Sequence, residues 1–419
     1  MVYKTGQVVN FKINKEINKV NIIKIKASVK MNKKKIIYLT NARLPTEKAH
    51  GLATVKICEA FADLDYEVTI ISPILWRKNQ KDVFSYYDIK KNFKIIKIFS
   101  IDLIPFKFFQ RITFLIQVFS FSIFSFFYIL FKYWKSLNDI VFFSHDHIPL
   151  FFISFISKNI FYDIHHFPDR NFLYKRILKK AFGFGTQTKW KMNMLKEKFG
   201  INFNKIIYWP NGTDIKKFML SISQDEARKK LKLPEKQKIV LYVGSLISWK
   251  GVDSLVGTIN FLSEDIFIYI VGSSPEDIKR FKKEFPIANH ERVIFIPFQH
   301  TNIIPIWYKS ADVLILPNTG KQKVSTFYTS PMKLFEYMTS GVPIIASKIL
   351  SIEEIVNENL ITFAEADNPK SFANMIESVL KNENVSRNKA LLAQKKVFEY
   401  TWLKRAEKIT DYINNFKFF

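Results

Sequence analysis

Cysteine is almost absent from this sequence, with Cys58 the single one among 419 residues. One cysteine excludes an internal disulfide and fits a protein that works in a reducing compartment. We interpret Cys58 as a small buried hydrophobe on a helix. Acidic residues are also few: 37 Asp and Glu stand against 64 Lys and Arg, so the net charge is +27.

Several common motifs are missing, and each absence argues against one class of protein. No G-x-G-x-x-G segment follows a predicted strand, which argues against an NAD-type dehydrogenase. No RNA-recognition, helix-turn-helix or zinc-finger pattern is present, so nucleic-acid binding is an alternative that rests on charge alone. Codon bias towards Lys, Ile, Phe and Asn accounts for part of the positive charge. We attribute the rest to an anionic membrane surface as partner.

The first 30 residues carry seven Lys and one Glu. They lack the compact apolar region of a signal peptide. We expect residues 1–30 to be a basic extension outside the fold, either a disordered arm or an artefact of an upstream start codon.

Residues 112–131 form an apolar run that is long enough for a transmembrane helix, with Arg111, Lys132 and Lys135 at its ends. Predicted strands at residues 95–99 and 140–143 flank this run. A single membrane crossing would put those two strands on opposite sides of the bilayer. The sequence therefore predicts a helix packed on the sheet, whose aromatic side chains dip into the membrane interface.

From residue 31 onward, short apolar runs alternate with helical patterns, which is typical of parallel α/β sheets. The length favours two domains. We predict an α/β fold with two Rossmann-like, doubly wound domains that face a central cleft, at residues 31–213 and 214–396, followed by a helical segment at 397–419. The predicted strands are residues 36–39, 68–71, 95–99, 140–143, 160–164, 183–186 and 206–208 in the first half, and 239–243, 266–271, 293–296, 313–316, 343–346 and 360–363 in the second.

The most informative segment is residues 329–347. Two predicted strands enclose it, Ser330 is a good helix N-cap, and Pro331 suits the first helical position. Gly341 ends the predicted helix. Such a helix opens at the carboxyl edge of a parallel sheet, where exposed N–H groups and the helix dipole attract anions. Glu336, in its second turn, is placed to accept hydrogen bonds from sugar hydroxyls.

This segment resembles the donor-binding signature of the retaining glycosyltransferases of family 4, which have the GT-B fold. The resemblance implies that a nucleotide-sugar diphosphate binds at the helix start, and that Glu336 binds the ribose. It also implies that the helical segment at 397–419 crosses back onto the first domain. The family usually has a second glutamate eight positions earlier, where this chain has Tyr328. The implied donor-binding residues are Gly244, Ser245, Lys250, Tyr328, Ser330, Pro331, Met332, Lys333, Leu334 and Glu336.

Gly244, Ser245 and Lys250 follow the strand at residues 239–243 and resemble the family's diphosphate clamp, with serine where arginine is common. His165 resembles a histidine that donates a hydrogen bond to the transferred sugar, and we assign catalytic roles to His165 and Glu336. Arg43, His50 and Gly51 follow the first strand and are candidates for acceptor binding. Glu353 fits an acidic position of the family only loosely.

The implied reaction transfers a sugar from a UDP- or GDP-sugar to an acceptor hydroxyl with retention of configuration, and needs no other cofactor and no metal ion. We expect the acceptor to be a saccharide or a lipid-linked saccharide in surface polysaccharide or glycolipid synthesis. We also expect a cytoplasmic location at the inner face of the membrane, and base recognition around residues 297–300. The main alternative is an inactive nucleotide-sugar-binding or scaffold protein. A metal site is a minor alternative, at His145, Asp146, His147, His165 and His166.

Overall fold

The computed structural model describes residues 34–46, 48–74, 82–103, 109–168 and 171–416. The predicted basic extension lies outside these ranges. The first domain contains a seven-stranded parallel sheet in the order β3-β2-β1-β4-β5-β6-β7. Its strands are β1 (Lys35–Leu39), β2 (Glu67–Pro73), β3 (Lys94–Ile98), β4 (Ile140–Ser144), β5 (Ile160–Ile164), β6 (Gly183–Thr186) and β7 (Ile206–Tyr208).

Helices connect these strands and cover both faces of the sheet. The helices of the first domain are α1 (Ala49–Asp63), α2 (Val83–Tyr87), α3 (Gln110–Tyr133), α4 (His147–Ile153), α5 (Phe172–Lys180) and α6 (Lys189–Phe199). The buried strands are apolar along nearly their whole length, because a parallel sheet is covered on both sides.

The second domain contains a six-stranded parallel sheet in the order β10-β9-β8-β11-β12-β13. Its strands are β8 (Lys238–Val243), β9 (Ile266–Ser273), β10 (Val293–Pro297), β11 (Val313–Leu316), β12 (Ile344–Ser347) and β13 (Thr362–Ala364). Its helices are α7 (Ile215–Phe218), α8 (Gln224–Leu231), α9 (Val252–Gly257), α10 (Pro275–Glu284), α11 (Ile304–Ser310), α12 (Met332–Ser340), α13 (Leu350–Glu353), α14 (Pro369–Lys381) and α15 (Glu383–Lys396).

Every predicted strand is present, with ends that differ from the prediction by at most two residues. The predicted α/β fold with two facing parallel-sheet domains is confirmed.

The last helix, α16 (Trp402–Asn415), packs on the first domain although it follows the second. Its apolar side chains Trp402, Ile409 and Ile413 join a core that includes Phe143 and Phe161. Burial of each isoleucine contributes about 1.5–3 kcal/mol. The tyrosine hydroxyl of Tyr66 also donates to Asn414 Oδ1 at 2.8 Å. The helix therefore ties the two domains together.

One helical stretch among the described residues, Arg111–Asp139, is long and apolar enough to cross a membrane by length and composition alone. It contains α3, which joins β3 to β4. Both strands belong to the same sheet, and α3 lies against that sheet and α4. The predicted packed helix is therefore the arrangement that the structure has.

Each sheet has a point where the strand order reverses, between β1 and β4 in the first domain and between β8 and β11 in the second. Ligands of doubly wound sheets bind beyond the carboxyl ends of the strands at such points. The loops after these four strands therefore define the region in which a site is expected.

Candidate active site

The helix α12 begins one residue later than predicted. Pro331 occupies the N-cap position, and Met332 is the first helical residue. Ser330 is not the cap: its hydroxyl accepts a hydrogen bond from Asn211 N at 3.0 Å, and its carbonyl accepts one from Asn211 Nδ2 at 2.8 Å. The prediction that Ser330 caps the helix was wrong, because the linker between the domains uses its polar groups. The backbone N–H groups at the start of α12 therefore receive no side-chain cap.

Glu336 is buried on α12 and is 4% exposed. Its Oε2 accepts from the hydroxyl of Tyr308 at 2.5 Å and from Lys333 Nζ at 2.7 Å. Within the described residues Oε1 accepts no hydrogen bond, so one oxygen of this carboxylate is open to a ligand hydroxyl. Leu334 points into the core, where its side chain packs with residues of β8 and β11.

Lys250 lies at the end of a short 3-10 helix after β8. Burial, reinforced by the positive charge of Lys333, lowers the pKa of Lys250 to about 8. Lys250 forms no ion pair with any acidic residue of the described chain, and its Nζ lies 4.0 Å from the centre of the Trp249 ring. Two lysines thus approach one another beside the start of α12, and an anion between them would relieve their repulsion.

Gly251 follows the 3-10 helix Ser248–Lys250, which we call the Lys250 turn, and allows this turn to approach the loop after β11. Its φ is +66°, and a Cβ at this position would collide with the carbonyl oxygen of Pro317. The N–H of Thr319 donates to the carbonyl of Trp249 at 3.3 Å. The two loops at the reversal point of the second sheet are therefore in direct contact.

Gly244 and Ser245 begin the same loop. The carbonyl of Ser245 accepts from the Tyr242 hydroxyl at 2.9 Å, and that of Gly244 accepts from Ser273 Oγ at 3.1 Å. These bonds fix the loop backbone.

Tyr328 does not lie on α12 but in a preceding π-helical turn, Val324–Tyr328. Its ring lies 5.2 Å from Trp190 and 6.3 Å from Phe167, both of the first domain. Phe327 also stacks on Trp190 at 5.1 Å. The position at which the family usually has an acidic residue is therefore part of an aromatic contact between the domains.

His165 follows β5 in the first domain. Its Nε2 lies 3.1 Å from Asp163 Oδ2, and its ring stacks on that of His145 at 4.9 Å. His145 Nδ1 in turn lies 2.8 Å from the hydroxyl of Tyr38. The histidines thus lie at the carboxyl edge of the first sheet.

The three predicted acceptor residues lie around the loop after β1. Arg43 forms an ion pair with Asp102 at 2.6 Å. His50 is near His145, with ring centres 6.3 Å apart, and burial together with His145 lowers the pKa of His50. A side chain at Gly51 would collide with Thr46 and Tyr87. The structure thus brings His50 towards His165, whereas Arg43 already has an acidic partner.

Two residues of the minor metal hypothesis, Asp146 and His147, also contact residues outside the proposed group, whereas His145 lies next to both His165 and Asp146. His147 stacks on Tyr174, and Asp146 Oδ2 accepts from Asn41 N at 2.7 Å. Within the described ranges no group of three or more His, Cys, Asp or Glu side chains is arranged to hold a metal ion.

Three residues of this region were missed by sequence reasoning: Asp163, Tyr308 and Glu354. Asp163 had a detectable signal, because residues two apart on a strand face the same side and His165 was already a candidate. Tyr308 lies on α11, and Glu354 accepts from the N–H groups of Lys189 and Trp190 across the domain boundary. Neither of these two contacts has a local sequence pattern.

Residues 223–396 match the family model described as glycosyl transferases group 1. The matched region contains Gly244, Lys250, the start of α12 and Glu336. Within its carboxyl-terminal domain, this chain is similar to the group 1 glycosyl transferases.

Curated relatives that match this part of the chain are named as glycosyltransferases. An uncharacterized glycosyltransferase of Methanocaldococcus jannaschii is 25% identical over 221 residues, which cover 50% of this chain and 54% of the relative. A D-inositol 3-phosphate glycosyltransferase of Xylanimonas cellulosilytica is 20% identical over 51% of this chain and 52% of its own length. A lipopolysaccharide core biosynthesis mannosyltransferase of Rhizobium meliloti is 29% identical over 35% of this chain and 41% of its own. The match thus spans about half, or less, of each relative.

Solved structures resemble the whole two-domain arrangement. The Anabaena protein HepE in complex with UDP-glucose superposes with a TM-score of 0.67 at 14% identity and covers 91% of this chain and 100% of its own. Sucrose-phosphate synthase from Thermosynechococcus elongatus gives a TM-score of 0.71 at 17% identity, over 91% and 98% of the two chains. At these identities the likeness concerns the fold, which is GT-B.

Proposed function

We propose that this protein transfers a sugar from a nucleoside diphosphate to an acceptor hydroxyl with retention of the anomeric configuration. The observation that carries the proposal is the cluster formed by Lys250, Lys333, Glu336 and the uncapped start of α12 at the carboxyl edge of the second sheet. The family match of the same domain supports it.

The diphosphate binds at the start of α12 in this proposal. Backbone N–H groups of Met332 and Lys333 point out of the helix, and the helix dipole favours negative charge there. Negative charge on the leaving diphosphate grows as the glycosidic bond breaks, and donors fixed in advance stabilise that charge. Lys250 and Lys333 add two positive charges. The open Oε1 of Glu336 accepts from a ribose hydroxyl, while Tyr308 and Lys333 hold Oε2.

A front-face reaction is the route that agrees with the carboxylates of the first domain. A double displacement needs a free carboxylate next to the sugar. Asp163 is engaged with Arg405 and His165, and Asp146 with Asn41. In the front-face route the leaving phosphate oxygen accepts the proton of the acceptor hydroxyl. No metal ion or further cofactor is part of the proposal.

A ligand panel tests the donor site. UDP-sugars and GDP-sugars are added separately to the full-length protein, and thermal unfolding is followed. One nucleotide should raise the melting temperature, because ligands of the native state stabilise it. Lys250→Met should weaken that ligand by about 10–100-fold, since hydrogen bonds to charged groups contribute about 1.5–3 kcal/mol. Lys236→Met is the matched control, because Lys236 is exposed and lies before β8. Failure of every nucleotide sugar to bind would refute the proposal.

Transfer itself needs a second measurement, since an inactive scaffold would also bind the donor. The proposed enzyme releases the nucleoside diphosphate in the presence of an acceptor, and slowly by hydrolysis in its absence. Tight binding of a nucleotide sugar without either reaction would favour the scaffold alternative.

We further propose that the acceptor is lipid-linked and that the first domain binds an anionic membrane at the cytoplasmic face. Several polar side chains along α3, including Gln117, Ser122 and Ser125, are buried beside Phe121 and Ile129, whereas many of its other large apolar side chains are exposed. On an ordinary surface helix the face turned to solvent is polar, so the exposed apolar face of α3 is unusual. We define the outer face of α3 by its exposed residues Ile112, Phe114, Leu115, Ile116, Ile123, Phe124, Phe127 and Phe131.

Charge at the ends of α3 indicates a membrane as the partner of this outer face. Arg111, Lys132 and Lys135 are exposed there, and each basic residue near an anionic surface contributes about 1 kcal/mol. On its inner side, Gln117 Nε2 donates to Asn41 Oδ1 at 2.9 Å. Because residue 41 begins the loop of the predicted acceptor residues, α3 lies between that loop and the proposed membrane.

Vesicle flotation tests the membrane proposal. The protein should float with vesicles that contain phosphatidylglycerol and not with neutral phosphatidylcholine vesicles, and high salt should weaken the interaction. Phe127→Ser with Phe131→Ser should reduce flotation, whereas Phe261→Ser, which changes an exposed phenylalanine of the second domain, should not. Absence of binding to anionic vesicles at low salt would contradict the proposal.

A further inference from the structure

A buried carboxylate lies next to the proposed catalytic histidine. Asp163 on β5 is 3% exposed, and Arg405 on α16 is 2% exposed. Arg405 Nη2 donates to both carboxylate oxygens of Asp163, at 2.8 Å and 2.7 Å. Gln187 Nε2 donates to Oδ1 at 2.9 Å, so Oδ2 faces His165 Nε2 at 3.1 Å.

The neighbouring strand makes room for this arrangement. Gly185 on β6 pairs with Asp163, and a Cβ at this position would lie 2.7 Å from Asp163 Oδ1. Any side chain at position 185 would displace the carboxylate, because Cβ atoms in proteins do not approach another atom this closely. Glycine is therefore needed at position 185 for Asp163 to hold its place.

Asp163 is ionised in this environment. Burial alone would raise the pKa of its carboxyl group, but the positive charge of Arg405, followed by the interaction with His165, holds that pKa well below its usual range. An ionised carboxylate only accepts hydrogen bonds. The ring nitrogen that faces it, Nε2 of His165, must therefore carry a proton.

The ring of His165 carries a single proton near neutral pH. Burial, only partly opposed by the charge of Asp163, lowers the pKa of His165 to about 4. With its one proton on Nε2, the ring has a lone pair on Nδ1. Nδ1 accepts no hydrogen bond from the residues that the structure describes, although the ring is packed against His145 and its side chain is 23% exposed.

We propose that Asp163 and Arg405 are positioning residues that fix His165 in the Nε2–H tautomer, so that Nδ1 accepts a hydrogen bond from a substrate hydroxyl. This rests on the proposed sugar transfer and reverses the direction of the hydrogen bond that the family resemblance implies for His165. The hydroxyl belongs to the transferred sugar or to the acceptor, and in both cases its O–H points at the ring.

Arg405 also connects Asp163 to the start of α12, where the proposed diphosphate site lies. Its Nη1 donates to Asn211 Oδ1 at 2.7 Å, and Asn211 in turn donates to the hydroxyl and carbonyl oxygens of Ser330. One guanidinium therefore sets the position of the histidine in the first domain relative to the start of α12 in the second. A lysine lacks the planar fork of donors and would not serve both contacts.

The tautomer is measured directly in the full-length protein with ¹⁵N-labelled histidine. Long-range proton–nitrogen correlation spectra distinguish a protonated ring nitrogen from an unprotonated one, and His165→Gln identifies the signals. We expect Nε2 to be protonated and Nδ1 to be unprotonated. A protonated Nδ1 in the wild-type protein would overturn the proposal, whatever the protein does with nucleotide sugars.

The variant Asp163→Asn tests the consequence for the reaction. Its amide oxygen takes the side shared with Gln187, where Arg405 Nη2 can still donate to it. Its NH₂ group replaces Oδ2, faces His165 and moves the ring proton to Nδ1, and the second Arg405 contact is lost. The expected result is a kcat about tenfold lower, the loss of one hydrogen bond in the transition state, with the KM for the donor nearly unchanged. Arg405→Lys should lower kcat and also weaken donor binding, since it breaks the Asn211 contact.

Two results separate this proposal from the proposed function. If the tautomer changes in Asp163→Asn while kcat stays the same, the acceptor role of Nδ1 is wrong but the sugar transfer stands. If no nucleotide sugar reacts with the wild-type protein, the proposed function fails, and with it the role of Nδ1 towards a substrate. In that case the spectra test only the tautomer of His165. Thermal unfolding of each variant shows whether the variant folds.

Discussion

Glu354 of the second domain accepts hydrogen bonds from the backbone N–H of Lys189 at 2.7 Å, and from the following residue at 3.1 Å. These N–H groups belong to the first turn of α6 in the first domain, so an acidic side chain from one domain stabilises a helix of the other. The helix dipole favours negative charge at this end. The contact lies beside the aromatic contact of Trp190 with Phe327 and Tyr328. Together they hold the domains in the arrangement seen here.

Replacement of Glu354 tests this contact between the domains. Glu354→Gln should lower the free energy of unfolding by about 1 kcal/mol, a typical loss for a helix-cap interaction. Hydrogen exchange at the amides of Lys189 and Trp190 should become faster. Glu353→Gln is the matched control, because Glu353 is adjacent and exposed. Equal exchange rates in the two variants would show that the cap does not hold α6.

The affinity for a nucleoside diphosphate should depend on pH through Lys250. The pKa of Lys250 is lowered to about 8 in the free protein, and a bound diphosphate raises it. Below about pH 8 the ammonium is already charged, so affinity should stay constant. Above this pH a proton must be taken up on binding, so affinity should fall by up to about tenfold per pH unit. Calorimetric titrations between pH 6.5 and 9.5 measure this, and Lys250→Met should abolish the dependence.

Two glycines allow the steric role of Gly251 to be separated from its backbone conformation. Gly251 and Gly200 both have a φ of +66°, but only Gly251 has neighbours that a Cβ would meet. Gly200→Ala should cost about 1–2 kcal/mol of stability, from the left-handed conformation alone. Gly251→Ala should cost more and should also weaken nucleotide binding, because the Lys250 turn must move away from Pro317. Chemical denaturation and ligand titration of both variants measure these effects, and equal losses would contradict the close approach.

Lys191 should make stability depend on pH. This buried lysine donates to the carbonyl oxygens of Ile164 at 2.8 Å and His165 at 3.2 Å, and to Gln187 Oε1. Burial lowers its pKa from 10.5 to about 7. Between these values the unfolded state binds more protons than the folded state, so the free energy of unfolding rises with pH.

The difference between wild type and Lys191→Met isolates this contribution. From pH 7 to 9 the wild-type protein should gain stability relative to the variant, by at most about 1.4 kcal/mol per pH unit. Lys198 lies on the exposed side of the same helix, so the free energy of unfolding of Lys198→Met should change with pH as it does in the wild type. If the free energy of unfolding of Lys191→Met also changes with pH as it does in the wild type, Lys191 does not titrate in this range. Urea denaturation at each pH provides the measurement.

The predicted strands were found because each is a short apolar run with a polar or glycine-containing boundary, and burial on both faces of a parallel sheet requires this pattern. The end of α12 was also found from the sequence, since Gly341 has the left-handed conformation that glycine favours. The start of α12 was predicted wrongly, because Asn211 binds Ser330 from a linker 119 positions away. A local pattern does not contain such a partner.

Tyr328 is a second residue whose contacts a local sequence pattern does not reveal. In the sequence it marks a departure from a glutamate pattern. Its packing against Trp190 and Phe167 is visible only when the two domains are placed side by side. Its predicted contact with the donor stays a prediction.

Two parallel-sheet domains and the segment that contains Glu336 can be predicted from the sequence, because hydrophobic periodicity and helix boundaries are local properties of a chain. The contact of Arg405 on the last helix with Asp163, 242 positions earlier, is not visible in any local pattern. The same holds for the protonated nitrogen of His165, which we infer from that contact. Burial, charge pairing and hydrogen-bond direction depend on neighbours in space, which only the folded chain brings together.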